Sequence, residues 1–327
     1  MSLIIKNVIT PTGNICIMKG GKGLLELVSL QDYGQGQNIK ADFLGLNREI
    51  NQVPHGDLLP LSDKWVITIS TQYGCSMNCK FCDVPKVGKG LNATYNDLEN
   101  QVISAIKLHP NIGSTKRLNI HYARMGEPTF NKNVLDYSKN LLKSIRPYLN
   151  RSLVHPVIST MLPKNNKFLN EYLNDWVEIK NETFRGCAGL QFSINSTSDI
   201  IREEIFSGNS HTLEEISKIG KMLDMPKDRK YALNFALADN FEVEAEKLRD
   251  LFNPNKFMVK ITPIHVTKST EKNNLQTSKG YFDYKPYRQI EQNLISKGFD
   301  VLVFIPSIEE DTSRITCGNA ILSDFVK

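Results

Sequence analysis

Three of the six cysteines, Cys75, Cys79 and Cys82, fall within eight residues of one another in the stretch GCSMNCKFCDVP. In a chain with no secretion signal, such crowding reads as metal binding rather than disulfide pairing. A structural zinc site calls for four ligands, typically as two CxxC pairs. Here there is one such pair and no histidine at a matching distance. Three thiolates on one tight loop suit three corners of a [4Fe–4S] cluster. The fourth iron would then be open to a substrate or cofactor. Phe81, just before the last of these cysteines, is placed to shield the cluster or to touch a bound adenine. Cys317 follows the last predicted strand and precedes Gly318. It reads as a thiol facing the substrate, against the alternative of a small buried hydrophobe. Cys16 and Cys187 read as core.

The elements that must position this loop alternate in type. Residues 1–63 carry short apolar runs (Leu3–Val8, Ile15–Met18, Leu24–Leu30) between Gly and Pro punctuation, which predicts β-hairpins. From Trp65–Ser70 onward strand and helix patterns alternate about six times and end in a strand at Asp300–Ile305. Predicted strands are Leu118–Tyr122, Val154–Thr160, Leu190–Ile194, Tyr231–Ala238 and Phe257–Ile264. Predicted helices include Tyr95–Leu108, Val134–Ile145, Asn165–Trp176, His211–Leu223, Val243–Leu251 and Tyr284–Lys297. Thr212 with Glu215 forms a capping-box pattern. The alternation predicts an α/β fold, a partial (β/α)6 barrel with a small N-terminal β-rich extension. Reactive groups of such barrels lie on loops at the C-terminal strand ends, where the cysteine loop falls. The division expected is 1–63 extension, 64–306 barrel and 307–327 a C-terminal segment carrying Cys317. The polar stretch 267–283 predicts a mobile loop, His121 a core histidine, and Asp199, Arg202, Glu203 and Glu204 a solvated helix start.

With 40% hydrophobic and 23% charged residues, the 327-residue chain is neither disordered, collagen-like nor a coiled coil. No apolar run approaches a membrane span. MSLIIKNVIT lacks a signal core and cleavage site, which predicts a cytoplasmic protein. The net charge of +5 is spread along the chain rather than massed in the dense patches of nucleic-acid binders.

The C-x3-C-x2-C motif with its preceding aromatic resembles the radical S-adenosylmethionine (SAM) superfamily. That resemblance implies a cluster on Cys75, Cys79 and Cys82, SAM on the open iron, a 5′-deoxyadenosyl radical, and an electron donor such as flavodoxin or ferredoxin. Further segments resemble the RlmN/Cfr type of rRNA adenosine methyltransferase. RMGEPTFN would place Gly126 and Glu127 at the SAM amino group. VISTMLP and FSINSTSDIIREEIF would bring Ser159, Ser193 and Asn195 to SAM. ITPIHV puts His265 where that family has Asn, and ITCGNA puts Cys317 at its methyl-carrier position. The chain departs from that pattern in two places. Thr68 occupies the position of the family's second catalytic cysteine, and His55, with Asp57 close by, that of a catalytic Glu. The residues before the cluster strand read as β, where the family has a helical RNA-binding domain. The departures favour a lyase acting on a small nucleobase-type molecule, with Cys317 and His55 as catalytic residues. Queuine salvage lyases fit that description. Methyl transfer to RNA through Cys317 is the alternative.

Overall fold

The computed structural model describes residues 3–32, 59–150, 152–277, 280, 285–306 and 308–325. Three antiparallel strands open the chain: β1 (Leu3–Thr10), β2 (Gly13–Gly20) and β3 (Gly23–Gln31). β3 pairs antiparallel with β4 (Lys64–Ile69), so the hairpins continue the main sheet. After β4, a two-stranded ribbon of β5 (Gln72–Gly74) and β6 (Lys89–Asn92) brackets the cysteine loop.

The remainder is a parallel winding. Helix α1 (Tyr95–Lys107) leads to β7 (Arg117–Tyr122), α2 (Asn133–Ile145) to β8 (Val154–Thr160) and α3 (Leu169–Glu178) to β9 (Gly189–Ser193). Then α4 (Asp199–Ile205) and α5 (Leu213–Met222) precede β10 (Tyr231–Leu237), and α6 (Ala245–Leu251) precedes β11 (Phe257–Pro263). Finally α7 (Lys268–Lys272) and α8 (Lys285–Ser296) precede β12 (Val301–Val303), and α9 (Ile308–Thr312) follows it. Among the described residues the sheet has ten strands in the order β1-β2-β3-β4-β7-β8-β9-β10-β11-β12. Among the described residues no pairing joins the two edges, so the sheet they form is open. No described helix is long and apolar enough to cross a membrane.

The two faces of the parallel strands differ in chemistry because side chains alternate along a strand. On the outer face Trp65, Ile67, Ile69, Leu118, Ile120 and Tyr122 are buried under the helices. The parallel register aligns the inner face: Val66 beside Asn119, Thr68 beside His121, Asn119 beside His155, Ser159 beside Gln191, and Asn234 beside Lys260. A filled barrel carries Val, Ile and Leu inside. This inner face is polar and lines a cavity instead. Leu30 of β3 and Leu302 of β12 both reach that cavity, so the sheet curls around it.

Three expectations are corrected. Within 267–283, residues 268–272 form α7, whose N-cap Thr267 makes a full capping box with Thr270, and Ser269 and Thr270 are buried. Polarity there serves hydrogen bonding rather than solvation. Arg202 is not part of a solvated face. It is 2% exposed and donates to Ser210 Oγ and His211 O, both at 2.9 Å. His121 is half-buried on the cavity wall, not in the core.

Candidate active site

The cysteine loop is fixed by backbone bonds within itself and to parts of the chain far away in sequence. Gly74, before the first cysteine, has φ +80°, and a Cβ there would lie 2.1 Å from Gly88 O, so only glycine fits. Cys75 N–H donates to Gly88 O (3.0 Å) and Cys82 N–H to Cys79 O (3.1 Å). Lys80 N–H donates to Ile205 O (2.8 Å) and Asp83 N–H to Gly318 O (2.8 Å). The last bond ties the loop directly to the segment that carries Cys317.

Cys75, Cys79 and Cys82 line one cleft together with Cys317, Phe81, Gly126, Glu127, Ser159 and Ser193. Burial pushes the Cys75 thiol up to about 12 and the Cys79 and Cys82 thiols well above their usual range, with the neighbouring anions adding to the effect. Thiols in such surroundings ionise when a cation takes the place of the protons. Three thiols on the wall of one cleft are the donor set that three irons of a [4Fe–4S] cluster would take.

Glu127 stands where the backbone turns at Gly126 (φ +97°), a position at which a Cβ would meet Gln72 Cβ at 2.5 Å. Its Oε1 accepts from Thr129 N–H (3.1 Å) and Oγ1 (2.7 Å), and its Oε2 from Met161 N–H (2.8 Å). Burial outweighs these bonds and raises the carboxyl above its ordinary value. An ammonium group delivered into the cleft would reverse that shift, so the carboxylate suits a cationic ligand group. Cys317 is solvent-accessible on the cleft wall, and its thiol donates to Ala123 O at 3.8 Å. Enclosure by the walls still raises the thiol, partly offset by Arg124, Lys260 and the Gly318 N–H.

Two further candidates lie apart from this cleft. Asn195 is buried with φ +61°, and its Oδ1 accepts from Ala236 N–H at 3.0 Å, bracing β10. His265 lines the larger cavity, with Nδ1 2.9 Å from Asp311 Oδ1. His55 lies outside the described residues.

Sequence reasoning missed the two clamps that hold the Cys317 segment. Arg124 and Glu26 form an ion pair at 2.7 Å, with side chains 1% and 0% exposed. Arg124 also donates to the carbonyls of Arg314 (3.0 Å), Ile315 (3.4 Å) and Thr316 (3.3 Å). Asp83 is wholly buried and accepts from Ser269 N–H (3.0 Å), Ser269 Oγ (2.7 Å) and Arg314 Nη2 (3.4 Å). Glu26 and Arg124 are 98 residues apart and Asp83 and Arg314 are 231 apart, so no local pattern signals either clamp.

Beneath the cleft lies the larger cavity, of about 460 Å³. Its walls include His121, Gln191, Lys260 and Thr316. Ser159 of the cleft donates to Gln191 Oε1 of the cavity at 3.5 Å, and Thr316 precedes Cys317, so the two spaces adjoin.

The chain is 23% identical to the dual-specificity RNA methyltransferase RlmN of Campylobacter lari over 66% of its own length and 57% of that protein's. It is 24% identical to the RlmN of Nitratiruptor sp. over 69% of its length and 59% of the relative's. The chain belongs to the radical SAM superfamily. A radical SAM methyltransferase from Sphaerobacter thermophilus shares the fold, with a TM-score of 0.62 at 16% identity, covering 98% of this chain and 81% of that one. No protein-family model matches. The chain spans under three fifths of the length of the curated relatives, 57% and 59%. Members of that superfamily use a [4Fe–4S] cluster and SAM, and the thiol and carboxylate donors of the cleft suit both.

Proposed function

We propose that the protein is a radical SAM enzyme acting on a small nucleobase-type molecule held in the cavity below the cleft, with Cys317 as a hydrogen-atom donor in a lyase reaction. Cys75, Cys79 and Cys82 would hold the cluster, and Glu127, Ser159 and Ser193 would face SAM. When bound, these cofactors supply a 5′-deoxyadenosyl radical that takes a hydrogen atom from the substrate. The chain itself must orient the substrate, exclude water and quench the product radical. Cys317 S–H can give its hydrogen atom to that radical. The resulting thiyl regains an electron from a flavodoxin- or ferredoxin-type donor and a proton from solvent.

One observation carries this reading. Cys317 is the sole thiol facing the cleft besides the three cluster cysteines among the described residues. Thr68 stands on the inner face beside His121, at the position where the resembled RlmN/Cfr family has the second thiol that releases a methyl-bridged protein–substrate crosslink. A hydroxyl cannot serve, because release of that kind forms a disulfide. The cavity volume also suits a single small ligand. Queuine, a 7-deazaguanine base, is the candidate we favour for trial.

Methyl transfer to RNA is the second reading, favoured by the names of the relatives. Anaerobic assays of reconstituted protein separate the two. We expect 5′-deoxyadenosine release to rise with queuine or a related free base and not with an rRNA fragment. Methylated RNA, with no response to any small molecule, would overturn the proposal.

A further inference from the structure

The floor of the large cavity is built unlike its walls. Arg117 opens β7 at the N-terminal end of the sheet, and Arg229 precedes β10 at the same end. Both line the cavity, as do Lys64 and Lys260. Gly189, at the start of β9, leaves room for one of them: Arg229 Nη1 lies 3.0 Å from where a Cβ would stand. The two guanidiniums are close enough that Arg117 depresses the ionisation of Arg229, after the larger effect of burial. Like charges gathered in a partly enclosed space are unfavourable unless an anion joins them.

The carboxylates nearby do not supply that anion. Asp32 is taken by Lys64 at 2.5 Å and Asp63 by Lys116 at 3.0 Å. Glu310 and Lys260 have contacts of their own. Asp228 favours the charged form of Arg229 from the exposed side but makes no ion pair with it. Among the described residues, Arg117 has one side-chain partner, the neutral Asn119 Oδ1 at 3.1 Å, and Arg229 has no carboxylate within ion-pair distance. His155, 8% exposed, stands beside Asn119 on the same face, with Nδ1 3.2 Å from Cys187 O and Nε2 buried without a partner. His121, higher on the wall, is kept neutral down to about pH 3, first by burial and then by Lys260, Arg229, Arg117 and Lys64. Two guanidiniums on the cavity floor, Arg117 and Arg229, therefore have no negatively charged side-chain partner among the described residues.

We propose that Arg117 and Arg229 bind an oxyanion carried by the substrate, a phosphate or a carboxylate, so that the rest of the molecule rises past His121 and Gln191 toward Cys317. A planar fork on each guanidinium suits either group, and two such forks fix its orientation. This deepens the reading of the cavity as a small-molecule site, on which it rests. It also orders the nucleobase-type candidates: one that carries a 5′-phosphate engages this floor, whereas a free base such as queuine binds by the walls above it. A cavity of about 460 Å³ lies in the range that takes a molecule of that size.

The test is anaerobic calorimetric titration of cluster-loaded protein, with SAM present, using inorganic phosphate, acetate, guanosine 5′-monophosphate and guanosine. We expect the nucleotide to bind at least 10-fold more tightly than the nucleoside. Phosphate alone should bind and compete with it if the anchor takes phosphate; acetate should do so instead if it takes carboxylate. Arg229→Gln and Arg117→Gln should each weaken anion binding about 10- to 100-fold, the loss of a charge-assisted bond. Arg229→Lys should recover part of it. Circular dichroism and iron content report whether each variant is folded. No anion binding by the wild-type protein, or equal binding by the Arg117→Gln/Arg229→Gln double variant, overturns the anchor. Failure of the small-molecule reading itself would appear separately, as methylated RNA in the turnover assay.

Discussion

Arg124 shows how much one side chain can hold in place. Its guanidinium spans Glu26 in the N-terminal hairpins and three carbonyls just before Cys317. Arg124→Ala would leave Glu26 as a buried, uncompensated carboxylate and free those carbonyls. We expect a loss of about 3–5 kcal/mol in urea unfolding of the apoprotein. Arg124→Lys should recover little, because a point charge cannot bridge four acceptors as a planar fork does. An unfolding midpoint like that of the wild type would show that the clamp is dispensable. At this scale the sequence was legible where candidate ligands crowd a short loop, as with Cys75, Cys79 and Cys82, which line one cleft. It was not legible where partners are distant. RMGEPTFN announces Gly126 and Glu127 but nothing about Arg124, whose partners lie 98 to 192 residues away.

Elements were read best where their own pattern decides them. β8 has the bounds its β-branched run predicts, and α5 carries the capping box of Thr212 and Glu215. α3 begins at Leu169 rather than at 165, because Asn166 and Phe168 are spent on a turn: Asn166 Oδ1 accepts from Phe168 N–H at 3.1 Å. α7 was missed because its capping threonine and serine look like loop composition. Asp97 links two elements, capping α1 through Thr94 N–H (2.9 Å) while accepting from Gly21 N–H (3.0 Å) and Tyr73 OH (2.8 Å). Burial acts to raise its carboxyl, but those bonds prevail and hold it below the ordinary 3.8. A depressed carboxyl stabilises the fold above its unfolded value, and the contribution disappears as pH falls through the folded value. Asp97→Asn should therefore lower stability by about 1–2 kcal/mol near neutrality. It should also flatten the acid limb of the stability curve below about pH 4. A variant whose acid limb runs parallel to the wild type would contradict this role.

For the whole molecule, the alternation of strand and helix disclosed the winding, and the inner-face register disclosed a lined cavity instead of a packed core. What no pattern disclosed is that β1–β3 extend the same sheet and deliver Glu26 to the active-site clamp. The cationic cavity has a consequence for folding. His121 titrates at about 3 instead of 6.5, so the unfolded chain takes up a proton that the folded one refuses. That contribution is intact above pH 6.5 and is lost as pH falls toward about 3. His121→Gln should make the unfolding midpoint less dependent on pH between those values, and an unchanged dependence would place the titration elsewhere.

The state of Cys317 decides most directly between radical quenching and methyl transfer. A methyl carrier leaves the cell with a thioether at this position, about 14 Da heavier. A hydrogen-atom donor leaves with a free thiol. Peptide mass spectrometry of protein freshly purified from SAM-replete cells reads the difference in one spectrum. We expect the peptide containing Cys317 unmodified and alkylatable; a methylated Cys317 would contradict the lyase reading and return the protein to the RNA methyltransferases.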